Sequence, residues 1–310
     1  ASLAIGTKAI TPEAVWGALW YPTGTEDDIV VNALRVPRTV LGLVVGIALG
    51  AGGALMQGHT RNPLADPGLL GVTAGAAFLV VVGIYALHVT SLYGYVWFAF
   101  AGALAASVAV FLLGAVNPDG PTPVALALAG VAVSALLGAL TSALVLLDAR
   151  TLDAFRFWAV GSLAGRDGEV VAQVAPFLCV GLLLAMVNTA GLNLLSLGDD
   201  VATALGANLA VTRWVGMVAI TLLIGAATAA CGPIAFVGLV VPHVCRVFTG
   251  PDYRWLVPAS GLAGAVLLLL ADVVGRIVAR PGELEVGIVL TLVGAPFFVA
   301  LVRRRRLVAL

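Results

Sequence analysis

RVPRTVLGLVVGIALGAGGALMQGHTRNPLADPGLLGVTAGA, residues 35–76, sets the fold. Residues 39–57 carry no charge and are long enough to cross a bilayer as a helix, which takes ~20 mostly apolar residues. The Gly/Ala-rich part, 42–55, offers small side chains that let a second helix approach closely. The run then meets QGHTRNPLADPGLLG, Gln57 to Gly71, with two prolines and several polar groups. Proline removes a backbone donor and bends the chain. Irregular backbone is not tolerated against lipid, so a break at this depth predicts surrounding protein or a water-filled pathway.

The remaining sequence repeats this theme. Of 310 residues 61% are hydrophobic and 10% charged, against about a quarter charged in soluble domains, so the composition is that of a membrane protein. The same ruler predicts nine apolar spans, near 39–57, 69–87, 95–116, 123–147, 173–188, 209–230, 234–249, 257–279 and 286–302, that of 173–188 being the weakest. One transmembrane domain over 1–310 follows, with an outer segment 1–38 and a tail 303–310. The opening ASLAIG reads as the end of a helix whose start is absent, giving ten spans in an intact protein. A second break is expected at CGPIAFVGLVVPHVCR, Cys231 to Arg246, again after a small-residue helix, 216–230. Helix followed by break in both halves is the faint internal repeat of transporter folds.

Orientation by basic residues is tied at eight on each side. It rests on the quartet Arg303–Arg306 directly after the last span, which places the C-terminus in the cytoplasm. Arg61, Arg213, Arg246 and Arg254 then fall inside, and Lys8, Arg35, Arg38, Arg150, Arg156, Arg166, Arg276 and Arg280 outside. The outward arginines need another explanation.

Several function classes drop out. Sixteen basic against sixteen acidic residues leave no basic face for nucleic acid. Lys8 is the one lysine and does not sit in a phosphate loop, so the chain has no nucleotide-driven motor of its own. Cys179, Cys231 and Cys245, and His59, His88 and His243, are too scattered for a disulfide framework or metal site and read as buried packing residues. No nucleophile and base stand together, so an enzyme is not indicated. The charges well inside apolar runs are Asp66 and the pair Asp272 and Arg276, spaced i,i+4 as a local ion pair. An ion-coupled secondary transporter would need midplane carboxylates, and a channel a selectivity ring.

Residues 35–76, together with LLSLGDDVATALGAN, GPIAFVGLVVPHVCR, LLLLADVVGR and ELEVGIVLTLVGAPFFVALV in the same order, resemble the FecCD-type permeases of ABC importers for iron–siderophore, haem and cobalamin. The resemblance implies an all-α polytopic bundle of the type II importer kind, ten helices with the first largely missing here. It implies a bacterial inner-membrane permease that moves a metal chelate, a ferric siderophore being the commonest cargo of the family, with cobalamin or haem as the alternative. The implied partners are a second permease subunit, identical or related, two ATPase subunits that use ATP and Mg, and an extracytoplasmic substrate-binding protein. This chain itself would hold neither cofactor nor metal.

Site residues follow from the same resemblance. Arg35, Arg38 and Arg276 match positions that meet acidic residues of the binding protein, a role suited to a planar, permanently charged guanidinium. Snorkelling at the interface is the competing reading of each. Gly198, Asp199, Asp200, Val201, Ala202, Thr203, Ala204, Leu205 and Gly206 match the short helix that couples to the ATPase. Asp199 and Asp200 suit its N-terminus, Val201, Ala204 and Leu205 share a face, and Gly206 can end it. Asn62 and Leu64 match a cytoplasmic gate, which in local terms is a turn before Pro63; Thr122, Pro123 and Val124 match a second closure. Pro123 stands where the cobalamin permease has a small hydroxyl residue, and NPDGPTP before it lacks that protein's basic cluster.

Overall fold

The computed structural model describes residues 1–116 and 122–303, so Arg304–Arg306 and residues 117–121 lie outside it, as does the side chain of Pro123. The described chain is helical. Two short helices, α1 (Pro12–Trp20) and α2 (Glu26–Ile29), open it. Thr11 caps α1 by accepting from the Ala14 N–H at 3.3 Å, with Pro12 at the first helical position where its missing donor is harmless. Thr25 and Asp28 form a reciprocal capping box on α2. A wide turn, Val30–Arg35, runs directly into α3 (Val36–Thr60).

After α3 come a 3-10 turn at Pro67–Leu70, α4 (Val72–Leu87), α5 (Leu92–Ala115), α6 (Pro123–Leu147), α7 (Ala149–Ala159) and α8 (Gly168–Leu195). The chain finishes with α9 (Asp199–Ala204), α10 (Leu209–Cys231), α11 (Val237–Thr249), α12 (Tyr253–Val278) and α13 (Val286–Arg303). The nine expected runs correspond one for one to α3, α4, α5, α6, α8, α10, α11, α12 and α13. Six helical segments are long and apolar enough to cross a membrane, while α4, α11 and α13 are shorter apolar helices. At ~1.5 Å per residue, the 13-residue α11 reaches only about two thirds of the way across a ~30 Å hydrocarbon core.

Several expectations need correcting. The first break begins later than Gln57: α3 stays helical through Thr60, because Gln57 and His59 find polar partners on other helices. The second break is confined to 232–236, and Pro242 sits inside α11. Packed neighbours tolerate the lost donor there, since Pro242 is buried. The weakest run, 173–188, becomes the longest helix, α8, of 28 residues. Its polar residues Asn188 and Asn193 face other helices and are satisfied there. Cys231, Cys245, His59 and His243 are buried. Cys179 is exposed, because in a membrane helix the outward face is as apolar as the inward one, and His88 is exposed because it caps the end of α4. The amphipathic α7 was not anticipated.

Helix α3 is the centre of the bundle and packs against α8, α10, α11 and α12. With no hydrophobic drive between helices in lipid, close van der Waals approach has to hold them. A Cβ on Gly46 would lie 2.5 Å from the Ala265 Cα of α12, so the two backbones meet where no side chain fits. The two breaks share one backbone pattern. Left-handed Arg61 (φ 48°) closes α3 and left-handed Gly71 (φ 72°) opens α4; Gly232 (φ 76°) closes α10 and Phe236 (φ 69°) opens α11. The two breaks also touch, Pro67 packing on Gly238 at the start of α11.

Candidate functional site

At one end of the bundle the three arginines expected to dock a partner come together. Arg38 donates from Nε and Nη2 to Asp272 Oδ1 at 3.0 and 2.7 Å, and from Nη1 to Glu283 Oε2 at 2.7 Å. The other oxygen of Asp272 pairs with Arg276 Nη2 at 3.0 Å, as the i,i+4 spacing predicts. Asp272 and Arg276 side chains are 1% and 3% exposed, Arg38 12% and Glu283 31%. One buried carboxylate thus lies between two guanidiniums. Arg276 also donates to the carbonyl and hydroxyl oxygens of Ser2, both at 3.1 Å.

Arg35 is buried and differs from the exposed docking group its motif suggests. It donates to the Leu3 carbonyl at 2.7 Å and to that of Lys8, while Arg280 holds the Gly6 carbonyl. Residues 1–5 form a helical turn, and cations near carbonyls at a helix C-terminus are favourable. Arg35, Arg38, Arg276 and Glu283 line a cleft of about 560 Å³ that also holds Lys8, Arg166 and Asp167.

At the opposite end, the 198–206 segment is a short helix between left-handed glycines. Gly198 has φ 102°, Gly206 φ 83°, and α9 runs Asp199–Ala204. Ala202 is its inward residue, fully buried, while Val201 and Leu205 are 48% and 59% exposed with Ala204 beside them. Asp199 ties the helix down by pairing with Arg61 at the end of α3 and, at 2.6 Å, with Arg213 of α10. Burial pushes the Asp199 carboxyl upward, but the two guanidiniums outweigh it and hold it below the usual carboxylate range. Asp200 makes no ion pair among the described residues and Thr203 folds back on the Asp199 carbonyl at 2.8 Å.

The gate residues continue from Arg61. Asn62 is exposed; its Oδ1 accepts from the Leu64 N–H at 2.9 Å, making the local turn before Pro63. Asp66 caps the 3-10 turn by accepting from the Gly68 N–H at 2.8 Å. Thr122 caps α6, accepting from the Ala125 N–H at 3.2 Å, and Val124 is exposed on the first turn. α6 packs against the Pro67–Leu70 turn that follows the Asn62–Leu64 turn.

Sequence reading missed a buried polar seam between α3, α8, α10 and α11. With its amide oxygen toward His59, Asn188 accepts from Nε2 at 2.8 Å and from the Gly216 N–H at 3.3 Å, and donates to the Thr212 carbonyl at 3.0 Å. Gly216 is required because a Cβ there would collide with the His59 ring. Gln57 donates to the Leu239 carbonyl at 3.2 Å and accepts from Arg246 at 3.4 Å, and Arg246 lies 5.9 Å from the Tyr253 ring centroid. The signal was polar residues inside an apolar helix, which the reading spent on a chain break.

Comparison with known proteins gives concordant results. The family model described as the FecCD transport family matches residues 1–304. The ferric enterobactin transport system permease protein FepD of Escherichia coli (strain K12) is 47% identical over 305 residues, 98% of this chain and 91% of that protein. The hemin transport system permease protein HmuU of Yersinia pestis is 40% identical over 278 residues, 88% of this chain and 83% of its own length. Among solved structures, an inward-facing metal-chelate type ABC transporter aligns with TM-score 0.84 at 30% identity, covering 98% of this chain and 93% of that one. PsaBC from Streptococcus pneumoniae, TM-score 0.61 at 18% identity over 93% of this chain and 94% of that one, shares the fold.

Proposed function

This chain belongs to the FecCD transport family, and from that premise we propose that it carries a ferric siderophore across the bacterial inner membrane as one of two permease subunits of an ATP-driven importer. The observation that carries the cargo is the 47% identity, along nearly the whole chain, to a ferric enterobactin permease. Energy comes from an ATPase pair, since the one lysine, Lys8, sits in GTKAIT rather than in a phosphate loop. The C-terminus and α9 face the cytoplasm, and the Arg38 cleft faces the binding protein.

The geometry gives this reading a mechanical path. The exposed apolar face of α9, Val201 and Leu205, is what a groove on the ATPase would cover. The bond from Asp199 to Arg61 then links α9 to the residue directly before Asn62, so a displacement of α9 reaches the gate turn without passing through the bundle. Coupling of this kind needs two ends joined by a rigid element, and the paired arginines supply the joint.

Vesicles containing this chain with its co-expressed ATPase and binding protein are expected to accumulate ferric siderophore on ATP addition, with haem and cobalamin as competitors. Vesicles lacking the ATPase are expected to accumulate none. Uptake driven by a proton gradient in the absence of the ATPase would refute the reading.

A further inference from the structure

We propose that Glu283 is an internal substitute for a carboxylate of the binding protein, and that docking exchanges the two on Arg38 and releases the loop 279–285. The proposal rests on the docking reading of Arg38. Two of the three hydrogen-bonding nitrogens of that guanidinium, Nε and Nη2, are committed to Asp272, which is buried, paired on its far side by Arg276, and unable to leave. The third, Nη1, donates to Glu283 Oε2 at 2.7 Å, and both residues line the cleft. Arg35 and Arg280 are turned onto the carbonyls of residues 3–8, and Arg276 onto Asp272 and Ser2. An incoming acidic group at Arg38 therefore competes with Glu283 for Nη1.

Glu283 is built to be displaced. Its side chain is 31% exposed, it stands on the connection between α12 and α13, and Arg38 is its one ion-pair partner among the described residues. Exchange leaves the number of ion pairs unchanged, so a lone acidic residue from a wrong partner gains almost nothing, and binding must come from the rest of a matching surface. The connection holding Glu283 is hydrogen-bonded onward. Leu284 donates to the Gly275 carbonyl at 3.1 Å, Gly287 to that of Gly161 at 3.1 Å, and Ser162 to that of Cys231 at 2.7 Å, where the second break begins. Release at Glu283 is thereby one loop away from the α10/α11 break.

The test uses the assembled transporter in nanodiscs with its binding protein. Glu283→Gln keeps the side-chain shape and removes the charge. It is expected to tighten binding about two- to fivefold, the range a partly exposed ion pair supplies, and the gain should vanish in an Arg38→Gln background. Amide exchange across 279–285 should rise on docking in the wild type and already be raised in Glu283→Gln alone. If Arg38→Gln weakens binding while Glu283→Gln binds as wild type and 279–285 stays protected on docking, the exchange is overturned and docking on Arg38 stands. If Arg38→Gln and Arg38→Glu both bind as wild type, the docking reading falls and the exchange with it.

Discussion

Replacing Asp272 by asparagine tests the central electrostatic claim. The structure places its carboxylate, 1% exposed, between Arg38 at 2.7 Å and Arg276 at 3.0 Å. Asparagine fills the same volume but strips buried Arg276 of its carboxylate partner and leaves Arg38 with Glu283 alone. Removing one partner of a buried pair costs about 3–5 kcal/mol, because the stranded charge remains desolvated, or roughly two to three and a half powers of ten in the population that opens. Asp272→Asn/Arg276→Gln should recover part of the loss, since the double change removes the stranded Arg276 charge along with the carboxylate. The cysteines supply the assay. With exposed Cys179 changed to Ser, a thiol-reactive dye on heating reports exposure of buried Cys231 and Cys245. Asp272→Asn should react at a markedly lower temperature than the Cys179→Ser parent. An Asp272→Asn protein with the parent's profile would show that the two arginines are hydrated or paired elsewhere, and would refute the buried-triad account.

Ala202→Pro should break α9 at a cost of roughly 3 kcal/mol to that helix; expected are intact spans with lost ATPase coupling, read as transport by an assembled complex. Asp199→Asn frees α9 from Arg61 and Arg213 and should uncouple ATP hydrolysis from uptake. Because the Asp199 pKa is depressed, its stabilisation is full above the unfolded value of about 3.9 and is lost only as pH falls through the lower folded value. The α9 tether should therefore be flat across neutral pH, and with the carboxylate 40% exposed it is worth no more than about 1 kcal/mol. Gly46→Val forces a side chain against the Ala265 backbone and should destabilise by about 1–3 kcal/mol or more, measured by the same thiol assay, whereas Gly17→Ala on α1, in open space, should not.

What the sequence revealed follows the strength of its physics. Apolar length is imposed by the bilayer, so the nine apolar helices α3–α6, α8 and α10–α13 were legible, and the i,i+4 spacing of Asp272 and Arg276 anticipated their bond. The glycines at 198 and 206 bracketed α9 because only a few residue types favour positive φ. Side-chain partners across distant segments left no such trace. Asn188 ended an apolar run on paper, yet it meets His59 from a helix 129 positions earlier. Arg35 looked like Arg38 in the motif, and only the placement of Leu3 and Lys8 separates a carbonyl clamp from a charge facing the cleft. α7 was passed over because a short amphipathic helix carries no length signature.

The central position of α3 has a consequence for how the protein is made. It leaves the ribosome well before the segments it packs against, which are encoded far downstream: Gln57 waits for Leu239 over 182 positions, and Arg38 for Asp272 over 234. At the usual pace of synthesis, ~5–20 residues per second, that interval is roughly ten to fifty seconds. Throughout it the glycine face, an unpaired arginine and a buried-to-be glutamine and histidine must be sheltered from lipid by something other than the finished fold. The helix that organises the mature bundle is thus the one most dependent on the insertion machinery, and variants that slow translation between α4 and α10 should lower yield without altering the protein that survives.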